Sequence, residues 1–253
     1  MKTAGATHLQ DVRLLRIWGA ALCGLLIFGL NAVNANANEV DKPKPSAGSR
    51  KKLKAEDPAI FSKLQNGDLV FHTSHSKQSY AIMWASKSLR SHVGVIERHG
   101  KLVYVVEAIG RVSRTPLQRW IARGRLKRWE AYHDPRLNDE QRTKMVAAAK
   151  TLIGRPYDLH FTSGNKEIYC SELVALAYEK IGLPVGQWQK VRELDVDNPL
   201  VRKLALQRWK KHPVCKSEKS FEACWPKILE DTLISPEALA QDKSLVRVFS
   251  NYP

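Results

Sequence analysis

Two β-rich apolar runs, His92-Val93-Gly94-Val95-Ile96-Glu97 and Leu102-Val103-Tyr104-Val105-Val106-Glu107, flank the polar tetrapeptide Arg98-His99-Gly100-Lys101. This pattern predicts a β-hairpin. Upstream, the Asn66-Gly67 turn signal precedes a short strand over Asp68-Leu69-Val70-Phe71, and Ser79 to Leu89 switches to helical spacing, with Tyr80, Met83, Trp84 and Lys87 on one side. Downstream, Arg111 to Thr115 extends the sheet, Pro116 to Ala122 reads as a short helix and Leu126 to Tyr132 as a further strand. Asn138 is placed to cap a helix running to Ile153, with Gln141 at the capping-box position and Gly154 as its stop. A second long helix starts at or just before Cys170 and runs through Leu173, Val174, Leu176, Ala177 and Ile181 to Gly182. Ser235-Pro236-Glu237 opens a last short helix, and Leu245 to Phe249 is a last strand. A central helix, a meander of antiparallel strands and flanking helices make the class α+β.

The N-terminus follows a different pattern. Arg13 and Arg16 precede an uncharged run from Ile17 to Leu30, and small residues follow through Ala37. This is the layout of a secretory signal peptide over residues 1–37, cleaved after Ala37. An uncleaved membrane anchor is the alternative, although the run falls short of the roughly 20 residues a span requires. Residues 38–57, rich in Lys, Pro, Ser and Asp, read as a disordered basic linker, and residues 58–253 as one domain. Within it, 187–230 is a basic, tryptophan-containing insertion.

Charge narrows the partners. The 253 residues carry a formal net charge of +16, and loss of residues 1–37 removes only Lys2, Asp11, Arg13 and Arg16 from it. Such a field draws the protein to polyanions. With export, the expected partners are cell-wall polymers or an anionic membrane surface; no nucleic-acid module is present, and no cofactor is implied.

Cysteine usage brings in chemistry. After Cys23 is removed with the leader, Cys170, Cys215 and Cys224 remain, and export places them in an oxidising compartment. Cys215 and Cys224 lie close enough in a polar stretch to form a disulfide loop, which leaves Cys170 as an unpaired thiol. An inert buried cysteine is the competing reading. At the start of a helix, however, the thiol pKa falls, and the free N–H groups of the first turn point at any developing oxyanion. A thiolate needs a base. His92 opens a strand expected to stand against that helix; His72, His75, His99, His133, His160 and His212 are rivals, with His160 the strongest. If the hairpin turn centres between His99 and Gly100, His92 and Glu107 are direct cross-strand partners, so Glu107 would fix the imidazole tautomer. A plain surface His–Glu pair is the alternative. His72-x-x-His75 lacks a third ligand at a recognised spacing, so no metal site is expected.

Taken in order, Gly67-Asp68-Leu69-Val70-Phe71, Ser91-His92-Val93-Gly94-Val95, Val106-Glu107-Ala108, Gly154-Arg155-Pro156-Tyr157-Asp158 and Tyr169-Cys170-Ser171-Glu172-Leu173 resemble the YiiX/YebB-like family, a circularly permuted branch of the NlpC-type papain-like hydrolases. The permuted branch places the histidine before the cysteine, as here. The resemblance implies an antiparallel sheet or small barrel packed on a helix that carries the nucleophile at its N-terminus. It makes Cys170 the nucleophile, His92 the base and Glu107 the orienting acid, with Tyr157 and Tyr169 beside the thiol. It further implies hydrolysis of amide bonds, in peptidoglycan stem peptides, through a thioester. Two other functions compete. The acyltransferase relatives point to a lipid acyl substrate, with Trp188, Trp209 and Trp225 at a membrane interface. A wall-binding protein without activity on the same fold is the other.

Overall fold

The computed structural model describes residues 57–253, so the signal peptide expected over 1–37 and nearly all of the linker expected over 38–57 lie outside the described residues. Chain order is α1 (Pro58–Phe61), β1 (Leu69–His72), α2 (Lys77–Ala85), β2 (His92–His99), β3 (Leu102–Ile109), β4 (Arg111–Pro116), α3 (Leu117–Arg123), β5 (Trp129–His133), α4 (Asp139–Thr151), α5 (Cys170–Glu179), β6 (Gln189–Lys190), α6 (Pro199–Arg208), α7 (Phe221–Glu230), β7 (Thr232–Leu233), α8 (Pro236–Ala240) and β8 (Val246–Ser250). Six strands form one antiparallel sheet in the order β4-β3-β2-β1-β5-β8. Its edges are β4 and β8, so it is an open sheet and not a closed barrel.

Alternation along the strands sends apolar side chains to both faces. Leu69, Phe71, Val93, Val95, Val106 and Ala108 pack beneath α4 and α5, against Met145, Ala149, Leu173, Val174 and Ala177. Val70, Ile96, Val103, Val105, Trp129 and Ala131 line the opposite face under α1 and α3, with Ile60, Leu117, Trp120 and Ile121. A second helical layer therefore covers the other face of the sheet. The signals at the helix starts act as their chemistry requires. Asn138 accepts from the Gln141 N–H at 2.9 Å, and the Gln141 side chain accepts from the Asn138 N–H at 3.1 Å, a capping box. Ser235 caps α8 through the Ala238 N–H at 3.0 Å.

The hairpin register corrects one expectation. β2 and β3 pair Val95 with Val106, Glu97 with Tyr104 and His99 with Leu102, so the turn is Gly100-Lys101 and lies one residue further along than expected. Cross-strand partners shift by two positions. His92 and Glu107 are therefore diagonal rather than direct neighbours, but a shift of two preserves the face each occupies. The strand expected from Leu126 begins only at Trp129, because Arg125–Lys127 form a 3₁₀ turn.

The insertion is tied off by β6 and β7, which pair Gln189 with Leu233 and Lys190 with Thr232. Between them α6 and α7 have their own small core, in which the Cys215–Cys224 disulfide meets Phe221, Ile228, Trp209 and Trp225. Trp209 and Trp225 thus pack inside the insertion, whereas Trp188 is exposed. So small a core depends on its crosslink. Cys224→Ser is expected to lower the stability of the insertion by about 2–3 kcal/mol, the entropy of a loop this short. Hydrogen exchange should show the loss in α6 and α7 while the six-stranded sheet stays protected.

Candidate active site

Cys170 is the first residue of α5, 2% exposed, and is the only unpaired cysteine among the described residues. The helix can begin here because Tyr169 is extended, and its N–H is held by Glu172 of the first turn at 3.5 Å. The Cys170 thiol lies beside His92 and the backbone N–H groups of Val93 and Ser171. Burial works to raise its pKa, and these partners, His92 foremost, outweigh burial and hold it below the ordinary thiol value.

His92 opens β2 and is 5% exposed. Its Nε2–H donates to Oε2 of Glu107 at 2.6 Å, which leaves Nδ1 as the ring nitrogen free to serve the thiol. Burial alone would lower its pKa, but hydrogen bonds and charge from Cys170 and Glu107 raise it to about 9. Glu107 is fully buried, and it also accepts from Thr115 Oγ1 at 2.6 Å and from Arg123 Nη2 at 2.6 and 2.7 Å. Burial would raise its pKa, whereas the bonds from His92 and Arg123 lower it to about 2. Thiol, imidazole, carboxylate and guanidinium thus form one line of alternating charge running into the sheet.

Gly94 makes that line possible. A Cβ at this position would stand 2.3 Å from Val105 Cγ1 and 3.4 Å from Glu107 Cβ, so only a residue without a side chain lets β3 carry Glu107 diagonally toward His92.

The structure also places the other residues singled out from sequence. Tyr157, from the segment before α5, neighbours Cys170, and its hydroxyl accepts from Gln78 Nε2 at 2.9 Å. Tyr169 is buried; its hydroxyl accepts from the Ile234 N–H at 3.1 Å and its ring meets Phe161 edge-on. Among the rival histidines, His160 lies against His212 with ring centroids 5.4 Å apart. His133 is held by Asp68 at 2.9 Å, and His99 by Glu97 at 2.7 Å. His72 is fully buried beside His92 and stacked on Trp120, and burial with the nearby His92 charge drives its pKa well below 6.5, so it stays neutral. His75 is exposed.

Arg123, Thr115, Trp120, Gln78 and Arg208 belong to this neighbourhood and are invisible to motif reading. Arg123 is simply the last basic residue of a short helix, and its approach to Glu107 depends on how α3 folds back over the sheet. Beside Cys170 opens an apolar cavity of about 140 Å³, lined by Ile82, Phe161, Val191, Leu204, Trp225 and Ile234 among others. A large part of that wall, including Val191, Leu204 and Trp225, comes from the insertion.

Residues 63–249 match the family model described as permuted papain-like amidase enzyme, YaeF/YiiX, C92 family. The uncharacterized protein YiiX of Escherichia coli (strain K12) is 34% identical over 198 residues, covering 78% of this chain and 91% of that protein. A crystal structure of the metalloprotein yiiX from Escherichia coli O157:H7 is 36% identical, with a TM-score of 0.66 over 75% of this chain and 98% of its own.

Proposed function

The chain belongs to the permuted papain-like amidase family of YaeF and YiiX, a family of cysteine hydrolases, and on that premise we propose that it is exported and cleaves amide bonds in peptidoglycan stem peptides. The observation that carries this reading is the buried line from Cys170 through His92 and Glu107 to Arg123. Cys170 is the nucleophile, His92 the base and later the acid, and Glu107 the group that holds the imidazole.

The thiolate attacks the carbonyl carbon, and the carbonyl π electrons move onto oxygen. The first N–H groups of α5 have no partner inside the helix and face that oxyanion, and Tyr157 is the side-chain donor beside them. Collapse breaks the C–N bond; the amine leaves with the proton from His92, and a thioester remains on Cys170. Water activated by neutral His92 then releases the acid. The imidazolium must persist for the first half of this cycle. Hydrolysis is therefore expected to rise with pH through the depressed thiol pKa and to fall as pH passes about 9, where His92 loses its proton. A rate that kept climbing past pH 10 would contradict the pair.

Export is supported by the N-terminal pattern and by the disulfide, and no helix among the described residues is long and apolar enough to cross a membrane. The net charge of +16 favours an anionic wall or membrane surface. The relative's description as a metalloprotein does not transfer. Among the described residues no group of three or more His, Cys, Asp or Glu side chains could hold a metal ion, and His92 already commits Nε2 to Glu107. The described residues therefore do not fit a metal.

Incubation of purified peptidoglycan with the wild-type protein and with Cys170→Ala, followed by mass spectrometry of released peptides, tests the reading. New fragments from wild type alone are expected; equal output from both proteins would refute it. The apolar cavity beside the thiol favours one further reading, in which the acyl group is a lipid chain. In that case kcat/KM for p-nitrophenyl esters should rise with acyl length, from acetate to octanoate, until the cavity is filled.

A further inference from the structure

Arg208 ends α6 inside the insertion, and its guanidinium donates to the Leu159 carbonyl at 2.7 Å and to Gln78 Oε1 at 2.8 Å. A guanidinium has no acceptor, so the Gln78 amide must turn its oxygen toward Arg208. Its NH₂ group then faces the other way, where it donates to the Tyr157 hydroxyl oxygen at 2.9 Å. A phenol that accepts on that side has its own hydrogen left for another partner, and the ionisable group beside it is Cys170. Burial and the neighbouring Cys170 charge push the Tyr157 pKa well above 10, so the hydroxyl keeps its hydrogen.

We propose that Arg208 and Gln78 are positioning residues, which aim the Tyr157 O–H first at the Cys170 thiolate and then at the oxyanion of the reaction. The inference rests on Cys170 being the nucleophile. It gives the insertion a part in the chemistry: α6 supplies, through one guanidinium, the constraint that orients an amide on α2. No electron or proton passes through Gln78 or Arg208. Their effect is on which way a hydrogen points when the sulfur carries charge and when, after attack, the charge resides on the carbonyl oxygen.

Alkylation of Cys170 by iodoacetamide over a pH series tests this without any substrate, so it stands or falls apart from the amidase reading. Gln78→Glu is the informative change, because a carboxylate still accepts from Arg208 but now also accepts the Tyr157 hydrogen and turns it from the sulfur. Both Gln78→Glu and Tyr157→Phe should raise the apparent pKa of alkylation by about one pH unit, the loss of one hydrogen bond to a thiolate. The double variant separates orientation from the added charge of Glu. If Gln78 acts through Tyr157, Gln78→Glu in the Tyr157→Phe background should move the profile no further. Arg208→Met should shift it in the same direction by less, and Arg208→Lys should restore most of the wild-type position. Additive shifts in the double variant, or an unmoved profile for Gln78→Glu alone, would overturn the proposal.

Discussion

Glu107→Gln is expected to cut hydrolysis by roughly 10⁴-fold, the scale seen when the acid that orients a catalytic imidazole is neutralised. The amide retains the shape of the side chain but not its charge, so two bonds change at once. His92 loses the anion that helps raise its pKa to about 9, and the value falls back toward 6.5. The pH range over which thiolate and imidazolium coexist then narrows from its upper end. Arg123 meanwhile faces a neutral partner. Alkylation of Cys170 at pH 8 should slow in parallel with turnover, and the upper limb of the pH–rate profile should move down.

The same residue predicts a stability signature. Glu107 has a folded pKa near 2, below its usual 4.5, so its contribution is fully present above pH 4.5 and is lost as pH falls through about 2. His92 acts in the opposite sense: its raised pKa gives stability that is complete below pH 6.5 and lost as pH rises through about 9. Wild type should therefore be most stable between pH 4.5 and 6.5 as far as this pair decides it. Glu107→Gln should lose the acid-side decline, which chemical denaturation at pH 3 and pH 5.5 would reveal.

Trp120→Ala should have the largest effect on stability, about 3–5 kcal/mol. The indole is fully buried between α3 and the sheet and stacks on His72 with ring centroids 4.0 Å apart. His72 is held from another direction by Gly124, where a Cβ would lie 2.9 Å from Nδ1. Removing the indole therefore empties the space beside the ring that borders His92. Activity should fall along with stability, because His92 loses the support of the His72 and Trp120 rings beside it. Trp120→Phe should cost less than half as much: the indole Nε1 has no hydrogen-bond partner among the described residues, so the shorter ring forfeits apolar contact but leaves no polar group stranded. A Trp120→Ala protein with a wild-type denaturation midpoint would show that α3 is dispensable to the sheet.

Local chemistry wrote much of this protein into its sequence. Alternation marked the hairpin and the short strand before it; Asn138 with Gln141, and Ser235 with Pro236, marked helix starts because capping depends on residues three positions apart. Cys170 at a helix start followed from the same kind of local signal, as did the disulfide loop of Cys215 and Cys224. The His92–Glu107 contact was legible for a subtler reason: a strand has period two, so a register misjudged by two residues still leaves both side chains on one face.

Tertiary structure alone decided the rest, because those contacts join residues whose separation along the chain has no period. Arg123 reaches Glu107 only when α3 folds across the sheet. Thr115 reaches it from the next strand. Arg208 reaches Gln78 across 130 residues, and only because β6 and β7 fasten the insertion so that α6 lies along α2. Sequence thus determined which residue types stand at the ends of which elements, since hydrogen bonding within one turn or one hairpin fixes that. The packing of layers determined which charge each of them meets, and with it the pKa values on which a thiol's reactivity depends.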